Sequence, residues 1–200
     1  MKVLIIGGNG LIGSKVAEHL SKKHDIVRAG RTSGDQIVDI ADSTSIETIF
    51  QRSAKYDAIL CIAGETKWNS FEGLTEEDYY VGIRSKLMGQ VNLVRIAKDY
   101  INDDGSFTLT SGILADDPVP MTASAAMVNG GLHSFVKATA LELKRGIRIN
   151  VVSAGLVEDA VSKYESFFPG HNPVSMTKVI NAYVKSVEGK INGQIIRAYD

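Results

Sequence analysis

The stretch that decides the fold is MKVLIIGGNGLIGSKVAEHL, residues 1–20. Val3 to Ile6 is a short apolar run behind Lys2, enough for one buried strand. Gly7, Gly8, Gly10 and Gly13 follow at once, interleaved with Asn9, Leu11 and Ile12. Leu11, Ile12, Val16 and Leu20 then recur on one face at helical spacing. A strand, a glycine-rich turn and a helix in that order make a dinucleotide-binding unit. Gly7 permits the tight turn off the strand. Gly10 keeps a Cβ out of the path of a pyrophosphate, and Gly13 lets helix and strand pack closely. The first N–H groups of the helix have no intrahelical acceptor and face the phosphate charge.

Composition sets the outer limits. Two hundred residues, 44% of them hydrophobic, suit one domain over 1–200. A net charge of −1 leaves no polyanion footprint, so no nucleic-acid partner is expected and a small-molecule ligand is. Cys61 is the only cysteine, which excludes a disulfide framework and suits a reducing cytoplasm. No charged leader with a long apolar run is visible, and no stretch is long enough to span a bilayer. A cytoplasmic location without a membrane partner is therefore expected. No metal site is read from the sequence.

Further along, residues 25–29 read as a second strand, ending in Gly30, Arg31, Thr32, Ser33 and Gly34. In a dinucleotide fold this strand end meets the adenosine ribose. An acid there would bind the 2′-hydroxyl of NAD, whereas Arg31, Thr32 and Ser33 suit a 2′-phosphate, hence NADP(H). Residues 36–38 form a brief third strand, reached by a turn in place of a crossover helix. Thr44 and Glu47 suggest a capping box for a helix over 45–54, and Thr75 and Asp78 repeat the signature for a helix over 75–100. Strands are read over 56–62, 106–110, 148–152 and 194–197, and helices over 122–144 and 175–187. Residues 157–173 show little periodicity and read as a mobile loop. The alternation predicts a single-domain α/β fold, a Rossmann-type doubly wound parallel sheet of about seven strands.

These landmarks resemble the short-chain dehydrogenase/reductase family over the whole chain. GGNGLIG, residues 7–13, is similar to the family's cofactor glycines, and Asp39-Ile40 to its adenine-contacting acidic position. CIAG, ending in Ala63 and Gly64, resembles the Asn-Asn-Ala-Gly after the fourth strand. TSG, residues 110–112, resembles the strand end carrying the catalytic serine, which would be Ser111. ALEL at 140–143, GIRINVVSAG at 146–155 and INGQII at 191–196 complete the order. The resemblance implies a homodimer or homotetramer paired through the helices over 75–100 and 122–144. In the second of these, Ala123, Ala125, Ala126, Gly130 and Gly131 would allow close approach between subunits, or equally pack inside one subunit.

The departures bear on chemistry. The family's acid is a Tyr, with a Lys four residues later that holds the nicotinamide ribose and lowers the Tyr pKa. Counted back from ALEL, those positions are Ala125 and Asn129. A slip of one residue gives Ser124 and Val128, and no Tyr-x-x-x-Lys occurs anywhere. The family's helix asparagine is Lys86 in KLMG, and the proline after the sixth strand is Ala154. The chain therefore resembles a divergent subgroup without the usual active-site pair.

Several residues are candidates for the missing chemistry. Ser111 would hydrogen-bond a substrate carbonyl, or simply satisfy local backbone. Lys86 would donate a proton or bind an anion, or lie as a surface charge. Asn129 would bond ribose hydroxyls without supplying charge. Trp68 and Phe71 would line the cleft or cover the core edge, and His171 would belong to a lid or to an ordinary loop. Two functions stay open on sequence alone: an NADP(H)-dependent oxidoreductase with a substituted proton donor, and a cofactor-binding regulatory or scaffolding protein.

Overall fold

Strand alternation divides the core into two layers. In β1 (Lys2–Ile6), Val3 and Ile5 pack on one side of the sheet while Leu4 and Ile6 pack on the other, and all four are buried. The computed structural model describes residues 1–51 and 55–199. Its sheet has seven strands in the order β3-β2-β1-β4-β5-β6-β7, every pairing parallel. The others are β2 (Asp25–Gly30), β3 (Gln36–Ile37), β4 (Tyr56–Cys61), β5 (Ile101–Gly112), β6 (Arg148–Ala154) and β7 (Ile195–Ala198). One face is covered by α1 (Leu11–Leu20) and α7 (Met176–Glu188), through Val16, Leu20, Val179 and Tyr183. The other is covered by α2 (Ser43–Gln51), α4 (Gly89–Ala97) and α5 (Ala123–Thr139), through Phe50, Leu93 and Leu132.

The chain runs outward from β1 through β2 to β3, then crosses back to β4 on the far side of β1. That reversal opens a crevice beyond the carboxyl ends of β1 and β4, the place where open α/β sheets take ligands.

The helix expected over 75–100 starts where the capping box predicts. Thr75 Oγ1 accepts from Asp78 N at 3.3 Å, and Thr75 N donates to Asp78 Oδ2 at 3.0 Å. It is not one α-helix, however. α3 (Glu76–Gly82) leads into a π-helical turn, Ile83–Met88, before α4. Ile101, next after the expected end of that helix, opens β5 and pairs with Tyr56. At α2 the cap is Asp42, whose Oδ1 accepts from Thr44 N at 2.9 Å, and not Thr44 with Glu47. The end expected for that helix at 54 lies outside the described residues. α5 stops at Thr139, short of 144, because 140–143 close in turns. Leu11 is 50% exposed, so it leaves the core face of α1 and borders the crevice.

The segment over 157–173 is structured. Glu158–Ala160 and Glu165–Phe167 are single 3₁₀ turns around α6 (Val161–Tyr164). Phe168 is buried in a third apolar cluster with Leu114, Ala125 and Leu156. Short turns carry too few residues for a helical period to show, which is why the sequence reads there as irregular.

Candidate active site

The glycine turn is built on missing side chains. Gly7 sits at φ +80°, and a Cβ there would lie 2.3 Å from the Ile62 carbonyl oxygen. A Cβ on Gly13 would lie 2.0 Å from the Gly7 oxygen, so only glycine lets α1 start this close to β1. Gly10 is the N-cap and meets nothing nearer than 3.3 Å. Among the described residues no side chain caps α1, so the N–H groups of its first turn stay available. Gly10, Leu11, Ile12 and Gly13 all border a cleft of about 500 Å³.

A second cavity of about 170 Å³ lies beside Gly7, between Arg31, Asp39, Ile40, Glu65 and Ser85. The two cavities share Ala63 and Gly64, the residues that leave β4. Arg31 Nη2 lies 2.7 Å from Glu65 Oε1, and both side chains are largely exposed. Asn9 Nδ2 donates to Ser33 Oγ at 3.1 Å, which joins the glycine turn to the turn after β2. Thr32 is exposed. Asp39 Oδ1 accepts from Ala41 N at 2.9 Å, and its N–H donates to Ser45 Oγ at 3.0 Å, which fixes the cavity edge. Arg28 was not singled out by the sequence. Its side chain lies along Gly8, and its Nη1 donates to Asn9 Oδ1 at 3.5 Å. Its place inside a strand hid it, since only the three-dimensional turn brings it over the glycines.

At the other end of the cleft stand Lys86, Ser111, Ala125 and Asn129. Lys86 lies on the π-helical turn, packed so tightly against Gly64 that a Cβ there would lie 2.8 Å from the Lys86 Cα. Among the described residues no hydrogen bond or ion pair reaches its ammonium, and burial lowers its pKa to about 8. Asn129 is 2% exposed, and among the described residues its Oδ1 has no partner. Ser111 Oγ lies 2.8 Å from Nε2 of His133, one helical turn beyond Asn129 on α5. His133 Nδ1 is 4.0 Å from Asp116 Oδ1, and burial holds the imidazole pKa below its ordinary value. Asp116 in turn accepts from Arg197 Nε at 2.6 Å and from the Tyr199 hydroxyl, so its carboxyl is held below the usual range.

Gln90 ties these groups together. Its amide donates to the Thr110 oxygen at 2.9 Å and to the Lys86 oxygen at 3.1 Å, while its Oε1 accepts from Thr110 N at 2.8 Å. A buried side chain thus closes the end of β5 and fixes the π-helical turn at once. Neither His133 nor Gln90 carried a sequence signal, because each depends on contacts between distant elements.

The outer wall is aromatic. Trp68 borders the cleft, with ring centroids 5.6 Å from Tyr164 and 5.8 Å from Phe167. Phe71, expected beside it, is 77% exposed and stands off the cleft. His171 packs edge-on against Phe168 and lies 3.0 Å from Asp117 Oδ2, outside the cleft. Cys61 is buried in the core, and burial pushes its thiol up to about 12, so it stays a neutral thiol at neutral pH. Among the described residues no group of His, Cys, Asp and Glu is placed to hold a metal, and no helix is long and apolar enough to cross a membrane.

A doubly wound parallel sheet with a glycine turn and a cleft at its reversal defines a Rossmann-type α/β protein. Residues 10–185 match the family model described as enoyl-(acyl carrier protein) reductase, and the chain belongs to this family of short-chain dehydrogenases/reductases. It is 46% identical to the protein lin1944 from Listeria innocua, whose crystal structure superposes over 100% of both chains with a TM-score of 0.98. A small-chain dehydrogenase in complex with NADPH, 24% identical, matches the fold over 98% of this chain and 95% of its own with a TM-score of 0.87. Among curated proteins, the hydroxynaphthalene reductase arp2 of Aspergillus fumigatus is 26% identical over 78% of this chain. The chain spans 66% of that relative's length. The 3-oxoacyl-[acyl-carrier-protein] reductase FabG of Rickettsia conorii is 25% identical over 78% of this chain and 72% of its own.

Proposed function

We propose that this chain is a single-domain NADP(H)-dependent oxidoreductase, of a subgroup without the Tyr-x-x-x-Lys pair, in which Lys86 is the proton donor. One observation carries the reading. The two cavities share Ala63 and Gly64 in their linings, so an arginine-flanked recess and an apolar cleft, whose Lys86 ammonium meets no partner among the described residues, lie side by side as one trough over the glycine turn. Family membership and the reductase names of its relatives support it, as do fold neighbours in complex with NADPH and with NADP.

The residues present fit such a cofactor. The turn from Gly7 to Gly13, through Gly8, Asn9, Gly10, Leu11 and Ile12, would hold the pyrophosphate at the uncapped start of α1. Arg31, Thr32 and Ser33 would hold the 2′-phosphate, Asp39 and Ile40 the adenine, and Ala63 and Gly64 the chain between the two ends. Asn129 would accept from a ribose hydroxyl with the Oδ1 that meets no partner among the described residues. When bound, the cofactor supplies the hydride.

Lys86 supplies the proton. An ammonium with a pKa of about 8 is charged at neutral pH and yields its proton more readily than an exposed lysine. Ser111, oriented by His133, would hydrogen-bond the carbonyl of the substrate. The apolar and aromatic cleft wall excludes water and selects an apolar substrate. The protein would act in the cytoplasm as a homodimer or homotetramer paired through α5 and the helical segment before it.

The test is NADPH oxidation by purified protein with aromatic ketones and enones. Substrate-dependent oxidation that Lys86→Met lowers by about 10²–10⁴-fold supports the reading. NADPH binding with no oxidation by any of them would favour the cofactor-binding regulatory or scaffolding protein instead.

A further inference from the structure

The ion pair between Arg31 and Glu65 crosses the trough where the proposed function puts the adenosine, and a role for this pair in cofactor choice rests on that reading. Arg31 follows β2, Glu65 follows β4, and these strands flank β1 on its two sides. The 2.7 Å contact therefore bridges the carboxyl end of β1, beside the Gly7 turn. Its two ends are held unequally. The Glu65 N–H donates to Ser85 Oγ at 3.1 Å, and Gly64 before it is pressed against Lys86. Arg31 begins an exposed turn whose tie to the glycine loop is the side-chain bond from Asn9 to Ser33.

We infer that Glu65 is a specificity-determining residue: it straps Arg31 across the mouth of the adenosine cavity and competes with a 2′-phosphate for that guanidinium. A guanidinium fork accepts a carboxylate or a phosphate in the same geometry. An exposed carboxylate pair is weak, whereas a phosphate brings close to two negative charges. The phosphate therefore displaces Glu65 from Arg31 in an exchange rather than joining an idle cation. After the exchange, Glu65 is left as an unpaired anion facing the phosphate across a cavity of about 170 Å³. Both effects reduce the affinity gained from the phosphate. Neither acts on a dinucleotide with a free 2′-hydroxyl. Among the described residues no carboxylate pairs with the Arg28 guanidinium, so its charge is not subject to the same competition.

Calorimetric titration of NADPH and NADH into four forms tests this: the unaltered protein, Glu65→Gln, Arg31→Ala and the double variant. Glutamine keeps the length of the side chain and the backbone bond to Ser85. The expected result is NADPH binding about fivefold tighter in Glu65→Gln, with NADH within about twofold of the unaltered protein. In the Arg31→Ala background most of that gain should vanish, because the competition needs both partners. NADPH affinity that is unchanged or weaker in Glu65→Gln, in a protein that still binds NADPH, overturns the strap alone. An equal gain with and without Arg31 overturns competition for the guanidinium. Absence of binding of either dinucleotide to all four forms overturns the NADP(H) reading itself, and the strap with it.

Discussion

Nε2 of His133 lies 2.8 Å from the hydroxyl of Ser111, so the serine at the end of β5 is tied to the middle of α5. Burial lowers the His133 pKa, with the Asp116 carboxylate opposing that effect. Arg197 and Lys137 add to the lowering. Above the unfolded value of about 6.5 the imidazole is neutral in both states and costs nothing. As the pH falls below that value, the unfolded chain takes up a proton that the folded chain resists, and stability is lost. His133→Gln should therefore flatten the fall in Tm between pH 7 and pH 5, followed by thermal melts at each pH. An unchanged slope would mean that the imidazole titrates alike in both states.

Gly13→Ala should be the most damaging single methyl in the turn. Its Cβ would lie 2.0 Å from the Gly7 oxygen, a backbone atom that cannot swing aside. A loss of about 1–3 kcal/mol of stability, together with loss of NADPH binding, is expected from denaturant melts and titration. Gly130→Ala is the control. Among the described residues nothing lies within 4 Å of its added Cβ, so it should be neutral or slightly stabilising in the isolated subunit.

The fold was legible wherever a local pattern stated it. The opening strand, glycine turn and helix, the order in which strands and helices alternate, and the Thr75–Asp78 cap all stand as the sequence put them. The misreadings come from contacts that a period or a motif does not show, some of them between distant segments and some within a single turn. Ile101 continues a helical period but is captured by Tyr56 across the sheet. Thr44 and Glu47 have the spacing of a capping box, yet Asp42 reaches the free N–H first. At the site, Lys86 was visible as an oddity of its segment. What makes it chemically distinct, a π-helical turn pressed on Gly64 and held by Gln90, is a tertiary property. The pairing of Ser111 with His133 spans 22 residues and follows no motif.

The proposed association through the helices leaves a defined surface. Met88 and Met127 are exposed at 39% and 45%, and Gly130 is uncovered on the same side of α5 as Met127. Ala125 and Gly131, by contrast, pack within the subunit, Gly131 against Leu87. Light scattering at tens of micromolar should give a dimer or tetramer mass, and Met127→Glu should shift it toward the 21.6 kDa monomer. A monomer mass for the unaltered protein would refute this association.

Restoring the family's pair is a constructive test of the chemistry. Ala125 and Asn129 both border the cleft, so Ala125→Tyr with Asn129→Lys would place the two side chains on one face of α5. The double variant should gain reductase activity on simple ketones by at least about 10² over either single variant. Equal rates in all forms would show that the cleft does not present its substrate to these positions.

The most direct test of the central claim is the affinity of the unaltered protein for NADPH against NADH, measured by titration at one ionic strength. With Arg31, Thr32 and Ser33 at the end of β2, and no side-chain cap on the N-terminus of α1 among the described residues, NADPH should bind at least about tenfold more tightly than NADH. Equal affinities, or binding of neither, would contradict it.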